Sequence, residues 1–139
     1  PDAGVNSGLM IAHYTQAAMA MENQRLAVPA STQSLPTSAM QEDHVSNGWA
    51  ASRKLRRSLD NLRRVLAIEM VCAAAAIDLR APLAPGEGTS AALAALRTRV
   101  AGPGPDRWLS PNLIAAEILL ADGTVLASVE GAIGALEVL

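Results

Sequence analysis

Apolar residues along this chain fall into runs with helical spacing, separated by short stretches rich in Pro, Gly, Ser and Thr. Asn6-Ser7-Gly8 offers an N-cap, and the Ala- and Met-rich run behind it, free of Pro and Gly, predicts a helix to about Gln24. Residues 27–39 lose the periodicity, and Pro29, Pro36 and scattered Ser and Thr predict a loop. From Val45 to Leu79 no Pro occurs and Gly48 is the only Gly. That stretch would make a helix of roughly 50 Å, well above the usual length. Asp78-Leu79-Arg80-Ala81-Pro82 stops it, and Pro85-Gly86-Glu87-Gly88 follows. Thr89 or Ser90 is expected to cap a short helix to about Val100, and Gly102-Pro103-Gly104-Pro105 to form a loop. Ser110-Pro111 signals the cap and first turn of a helix to about Ala121. Asp122-Gly123 turns the chain into a last helical segment, weakened by Gly131 and Gly134. The expected fold class is all-α: a long-helix bundle formed by one segment over residues 1–139, with no internal repeat.

The long helix changes character along its length. In its first half Leu55, Leu59, Leu62 and Leu66 keep a three-four spacing on one face, with Arg and Lys opposite. From Val65 to Ile77 the only polar side chain that carries charge is Glu69, and the helix is apolar all round. Such a helix must be surrounded, and the remaining segments are too short and polar-edged to do so. It is no membrane span, because ~13 residues stand where ~20 are needed and a carboxylate sits in the middle. The expectation is a bundle completed by other chains or by further sequence, hence an obligate oligomer.

Composition supports a helical core. Half of the residues are hydrophobic but only 2% are aromatic, so the apolar matter is Ala and Leu rather than the β-branched and aromatic mix of a sandwich. A net charge of −2 gives no drive towards nucleic acid or an anionic membrane. Cys72 is the single cysteine, which makes a reducing, cytoplasmic compartment the default. No signal peptide or lipidation motif is visible, but the chain starts at Pro1 without Met, so sequence is expected to precede it.

Three features could carry chemistry. Arg53, Lys54, Arg56, Arg57, Arg63 and Arg64 concentrate positive charge, but they alternate with Leu, and thirteen acidic residues are available to pair with them. A solvated or salt-bridged helix surface is the favoured reading over nucleic-acid binding. Glu69 would be unfavourable to bury alone and is expected to meet an Arg or backbone partner across an interface rather than to act in catalysis. The densest polar group is Gln41-Glu42-Asp43-His44, where a proline-punctuated loop enters the long helix. No His or Cys lies at a metal-ligand spacing, so no metal is expected, and Cys72 sits in the apolar run where a thiol stays protonated. Two readings of the cluster remain from residue types. Asp43 and Ser46 could accept hydrogen bonds from free helix amides, or Glu42 or His44 could exchange protons in a polar pocket.

Several blocks in order resemble the C-terminal part of a histidine ammonia-lyase. They are Asn6-Ser7-Gly8-Leu9-Met10-Ile11-Ala12, Tyr14-Thr15-Gln16-Ala17-Ala18, Pro29-Ala30-Ser31, Ser38 to Ser46, Arg63-Arg64-Val65-Leu66-Ala67-Ile68-Glu69 and Asp78-Leu79-Arg80-Ala81-Pro82-Leu83. Gly102-Pro103-Gly104-Pro105-Asp106-Arg107 is similar to Ala-rich bacterial members. Phenylalanine and tyrosine ammonia-lyases typically carry Asn-Gln-Asp-Val where this chain has the Glu-Asp-His run. The resemblance implies a helical homotetramer, with each active site lined by several subunits. It implies a substrate-pocket loop at residues 27–44, a long core helix at about 45–79, and smaller helices within 89–139. The reaction it implies is non-oxidative elimination of ammonia from L-histidine to give trans-urocanate. The implied electrophile is a methylidene-imidazolone, formed when an internal Ala-Ser-Gly cyclises and loses two waters. Glu42 matches the catalytic, substrate-contacting carboxylate that favours an imidazole ring, because an imidazole N–H can donate to it and a phenyl ring cannot. Gln41 matches the adjacent substrate-binding amide, and Asp43 and His44 are expected to support those two.

The chain also departs from the pattern. It contains no Ala-Ser-Gly; Asn6-Ser7-Gly8 and Ala51-Ser52-Arg53 are the nearest strings. The tyrosine base and the arginine that holds the substrate carboxylate belong, in the family, to the preceding part of the polypeptide. The expectation is therefore the last quarter to third of a lyase, inactive without its preceding portion. Smaller departures are His13 where Gln is usual, expected to be an ordinary partly buried histidine, Met40 where Asn is common, and Asn47 where Met is usual. Asn47 is expected one turn past Glu42, near the pocket wall. The alternative function is a non-catalytic helical assembly module, a truncated or degenerate paralogue that keeps the tetramer core. A related aromatic lyase or aminomutase is a third reading, disfavoured by Glu42.

Overall fold

The computed structural model describes residues 5–137, and each long periodic run is a helix in it. These are α1 (Met10–Leu26), α2 (Gly48–Asp78), α3 (Glu87–Arg97), α4 (Ser110–Ala121) and α5 (Thr124–Ile133). The all-α expectation holds. The segment between α1 and α2 departs from the expected loop. It contains a short 3-10 helix at Ala30–Gln33 and a two-stranded antiparallel hairpin, β1 (Pro36–Thr37) with β2 (Glu42–His44). Pro36 pairs with His44 and Thr37 with Glu42, so Asp43 is the extra residue of a bulge. Such brief pairing leaves no room for an alternating pattern, which is why period gave no warning of it.

The helix α2 is the spine. Ala67, Val71 and Ala74 on one of its faces pack with Leu96 and Val100 and with Ala116 and Leu119 of α4. Small Ala side chains let the helices approach closely, and Ile68 and Leu96 are 2% and 0% exposed. On the next face α1 packs against α2 through Ala12 and a polar seam described below. α3 and α5 pair with each other at the far end. The cover expected all round the second half of α2 is not supplied by the described residues. Leu66 and Glu69 are exposed, whereas Ala67 and Ile68 between them are buried. Glu69 has no ion-pair partner within 4.0 Å among the described residues.

The helix ends are built differently from the sequence expectation. α1 starts after Leu9 without a local side-chain cap; the amides of Ser7 and Gly8 donate to the Asp106 carboxylate at 2.5 and 2.8 Å. α3 is entered from Gly86, so Thr89 and Ser90 lie inside its first turn, where the Ser90 hydroxyl donates to Pro85 O. α4 has Leu109 at its N-cap and Ser110 as its first residue, while Pro111 stands in the first turn as the missing N–H allows. The turn at Asp122-Gly123 is as expected, with Gly123 at φ 78, and the Thr124 amide donates to Asp122. A hydrogen bond from the Thr124 side chain, then that from its amide, holds the Asp122 carboxyl below its ordinary range. No single helix among the described residues is long and apolar enough to cross a membrane.

Candidate functional site

The Gln41–His44 cluster stands on the hairpin rather than at the mouth of a helix. Ser38, Ala39 and Met40 at its tip have φ of 53, 52 and 68, a left-handed run made without glycine. Residues with a β-carbon seldom adopt that region, so three in a row are strained, and such strain collects at functional sites. The Gln41 amide closes the tip by donating to Ser38 O at 3.0 Å. Gln41, Glu42, Asp43 and His44 are all exposed. The structure therefore brings the four together along one short stretch but does not enclose them.

The capping reading of Asp43 does not hold. Its carboxylate accepts the amide of the next residue, His44, at 2.7 Å, and the chain still has to pass Asn47 before α2 begins. Ser46 does as expected, its Oγ accepting the amide of Gly48, the first residue of α2, at 3.4 Å. Asn47 is the N-cap by position, left-handed at φ 53, and is separated from Glu42 by the strand rather than lying one helical turn beyond it. Among the described residues no side-chain hydrogen bond joins Asp43 or His44 to Gln41 or Glu42.

The base of the hairpin is tied to α2 by contacts that the sequence reading missed. Lys54 Nζ donates to Val28 O, Asn47 Nδ2 to Ala30 O at 3.2 Å, and Ser34 Oγ to Val45 O at 2.5 Å. The Val45 amide donates to Leu35 O. Only Asn47-Gly48 carried a signal, since Asn tolerates the left-handed region.

Among the described residues two prominent cavities open elsewhere, and Gln41–His44 line neither. One, of about 560 Å³, runs between α1 and α4 over a floor of Ala12 and Ile68, and the Arg64–Glu117 pair at 3.4 Å borders it. The other, of about 680 Å³, lies between the second half of α2 and the 101–107 loop. Half of the basic cluster is ion-paired among the described residues: Arg57 with Glu22, Arg63 with Asp60 and Arg64 with Glu117. His13 is exposed, not partly buried, with its ring centroid 6.1 Å from that of Tyr14. Cys72 is half-buried, and burial together with the Glu69 carboxylate pushes its thiol up, away from a reactive thiolate.

Residues 1–98 match the family model for the aromatic amino acid lyases. The chain belongs to that family. It is 55% identical over 136 residues to a histidine ammonia-lyase of Streptomyces avermitilis, covering 97% of this chain and 27% of that one. It is 56% identical over 138 residues to the histidine ammonia-lyase of Streptomyces griseus, with the same coverage. The crystal structure of histidine ammonia-lyase from Trypanosoma cruzi superposes with a TM-score of 0.89 at 37% identity, covering 95% of this chain and 26% of that one. A tyrosine aminomutase from Streptomyces globisporus superposes with a TM-score of 0.87 at 32% identity, over 95% of this chain and 25% of that one. The chain thus spans about a quarter of the length of the lyases it matches.

Aromatic amino acid lyases use a methylidene-imidazolone electrophile, and the strings of this chain nearest to its Ala-Ser-Gly precursor do not fit it. Asn6-Ser7-Gly8 is held open by Asp106, which binds both the Ser7 and Gly8 amides, and its own amide donates to Asn6 Oδ1. Ala51-Ser52-Arg53 lies inside α2, where the Ser52 hydroxyl donates to Gly48 O.

Proposed function

We propose that this chain is the C-terminal portion of a histidine ammonia-lyase, which removes ammonia from L-histidine to give trans-urocanate. The observation that carries the reading is the placement of Glu42: exposed, near the strained end of a hairpin whose base is tied down, and outside both cavities. A carboxylate so presented becomes a pocket wall only when other segments close over it. In this reading the preceding portion of the polypeptide and further copies of the chain in a homotetramer supply those walls. The electrophile belongs to that preceding portion. Glu42 accepts the imidazole N–H, Gln41 lines the pocket beside it, and Asp43 and His44 support those two once the other segments close over them. The exposed Leu55, Leu59, Leu62 and Leu66 are the natural seam for the tetramer. A cytoplasmic setting suits the lone Cys72.

The fold by itself is shared with a tyrosine aminomutase, so the preference for histidine rests on Glu42 and on the identity to histidine lyases. An assembly module without catalysis is the second reading, and the exposed leucine face favours it equally. One experiment separates them: an intact-mass spectrum of the complete polypeptide together with a urocanate assay. A mass two waters short of the translated sequence, with urocanate formed from histidine, is the expected result. A full translated mass and no urocanate would leave the assembly module.

A further inference from the structure

The geometry points to Asn47 as a positioning residue for Glu42, acting through the base of the hairpin; this rests on the reading of Glu42 as the group that meets substrate. Asn47 stands where the returning strand becomes α2, with φ 53 and ψ 23. That left-handed conformation redirects the chain within one residue, and Asn accepts it with little strain. Its side chain meanwhile reaches back over 17 residues to donate to Ala30 O at 3.2 Å. One residue thus sets both the angle at which the hairpin leaves α2 and the spacing between its outgoing and returning legs.

Beyond that tie little else fixes the tip. The ladder is two residue pairs with a bulge, and Gln41 N to Ser38 O is internal to the turn. The four residues 41–44 are exposed, so packing does not hold them. The orientation of Glu42 is therefore inherited from the base, where Asn47 is half-buried and Ser34 and Val45 continue the same clasp. Loss of the Asn47 amide removes one of the ties at the base, leaving those of Ser34, Val45 and Lys54, without removing any group that touches substrate.

The test uses the complete lyase with Asn47→Gly, which keeps the left-handed backbone and removes the tie, and Asn47→Asp, which keeps the shape and loses the donor. Hydrogen exchange at the Gln41 and Val45 amides should quicken by about fivefold in both variants, the scale of one lost hydrogen bond. Each variant is then measured alone and in a Glu42→Gln background for kcat/KM on histidine. Positioning predicts coupling: a loss of about fivefold or more alone, shrinking below about twofold when Glu42 is already gone. Unchanged exchange overturns the tie. Equal losses in the two backgrounds overturn the positioning role and leave the lyase reading intact. No effect of Glu42→Gln itself overturns the reading of Glu42, and the role of Asn47 falls with it.

Discussion

Asp106 closes the entry to α1 from ninety-nine residues away: its carboxylate accepts the Ser7 amide at 2.5 Å and its own amide donates to Asn6 Oδ1 at 2.8 Å. The two bonded amides lie just before Leu9, the N-cap position, so Asp106 anchors the lead-in to α1 rather than the free amides of its first turn. Its loop is held in turn by two guanidiniums. Arg107 donates to Ala101 O and Gly102 O, and Arg97 donates to Val100 O while pairing with Asp78 at 2.6 Å. The α3–α4 connection therefore fixes the chain that leads into α1.

Asp106→Ala should expose those amides. The expected loss is about 1–2 kcal/mol of local stability, the scale of lost hydrogen bonds, read as faster hydrogen exchange at Ser7 and Gly8. Asp106→Asn, which keeps one acceptor oxygen, should fall between the wild type and Asp106→Ala. Wild-type exchange in Asp106→Ala would refute the anchoring role.

The seam between α1 and α2 should be acid-sensitive. Asn61, 1% exposed, donates to Glu22 Oε2 at 2.8 Å and to Asn23 Oδ1 at 3.0 Å, and Arg57 pairs with Glu22 at 3.2 Å. The hydrogen bond from Asn61, then that from Arg57, holds the Glu22 carboxyl below its ordinary value of 4.5. With the folded pKa lowered, the unfolded chain binds the proton first as pH falls. The stabilisation is complete above the ordinary value and is lost as pH drops through the folded one. Urea unfolding from about pH 7 to about pH 3 should show wild type and Glu22→Gln converging in the acid. A gap that stays constant with pH would rule out this coupling.

Much of this architecture is legible in the residues, and what is not has physical causes. The helices follow from long apolar periodicity, and the turn at Asp122-Gly123 from its glycine. The hairpin at 36–44 is not legible, because two residue pairs carry no period and its left-handed tip uses Ser38, Ala39 and Met40 rather than glycine. The reach of Asp106 to Ser7 is a tertiary contact with no local signature. The Gln41–His44 cluster is visible as a polar concentration, yet its placement on an exposed strand is set by Asn47, Ser34 and Lys54, whose roles emerge only in three dimensions.

The leucine face of α2 should be an assembly surface. Leu55 and Leu59 are 61% and 51% exposed, and Leu62 and Leu66 are 47% exposed each, at the three-four spacing of a packing ridge. Leu66→Asp in the complete protein should give dissociated or unfolded material in sedimentation, because an unpaired charge in a packed interface costs several kcal/mol. Were the face solvated in the assembled protein, the same change would stay within about 0.5 kcal/mol and leave the oligomer intact. A stable monomeric wild type would refute the surface outright.

Glu42 should decide which ring is accepted. A carboxylate rewards a ring N–H with a charge-assisted hydrogen bond and offers nothing to a phenyl group, which would leave the charge desolvated and unpaired. Glu42→Ala should therefore cut histidine turnover by orders of magnitude while the oligomer persists, since the side chain is exposed on the hairpin and makes no packing contact with the helical core. Glu42→Gln keeps the size and loses the charge, so it should fall between the two. Discrimination against phenylalanine should shrink in both variants, because the penalty that excludes a phenyl ring goes with the carboxylate. The measurement is kcat/KM on histidine and on phenylalanine for the wild type and the two variants, with sedimentation to confirm assembly. A Glu42→Ala enzyme with wild-type histidine turnover would sink the assignment. Turnover lost equally for both rings would make Glu42 a structural support of the hairpin and not the group that reads the ring.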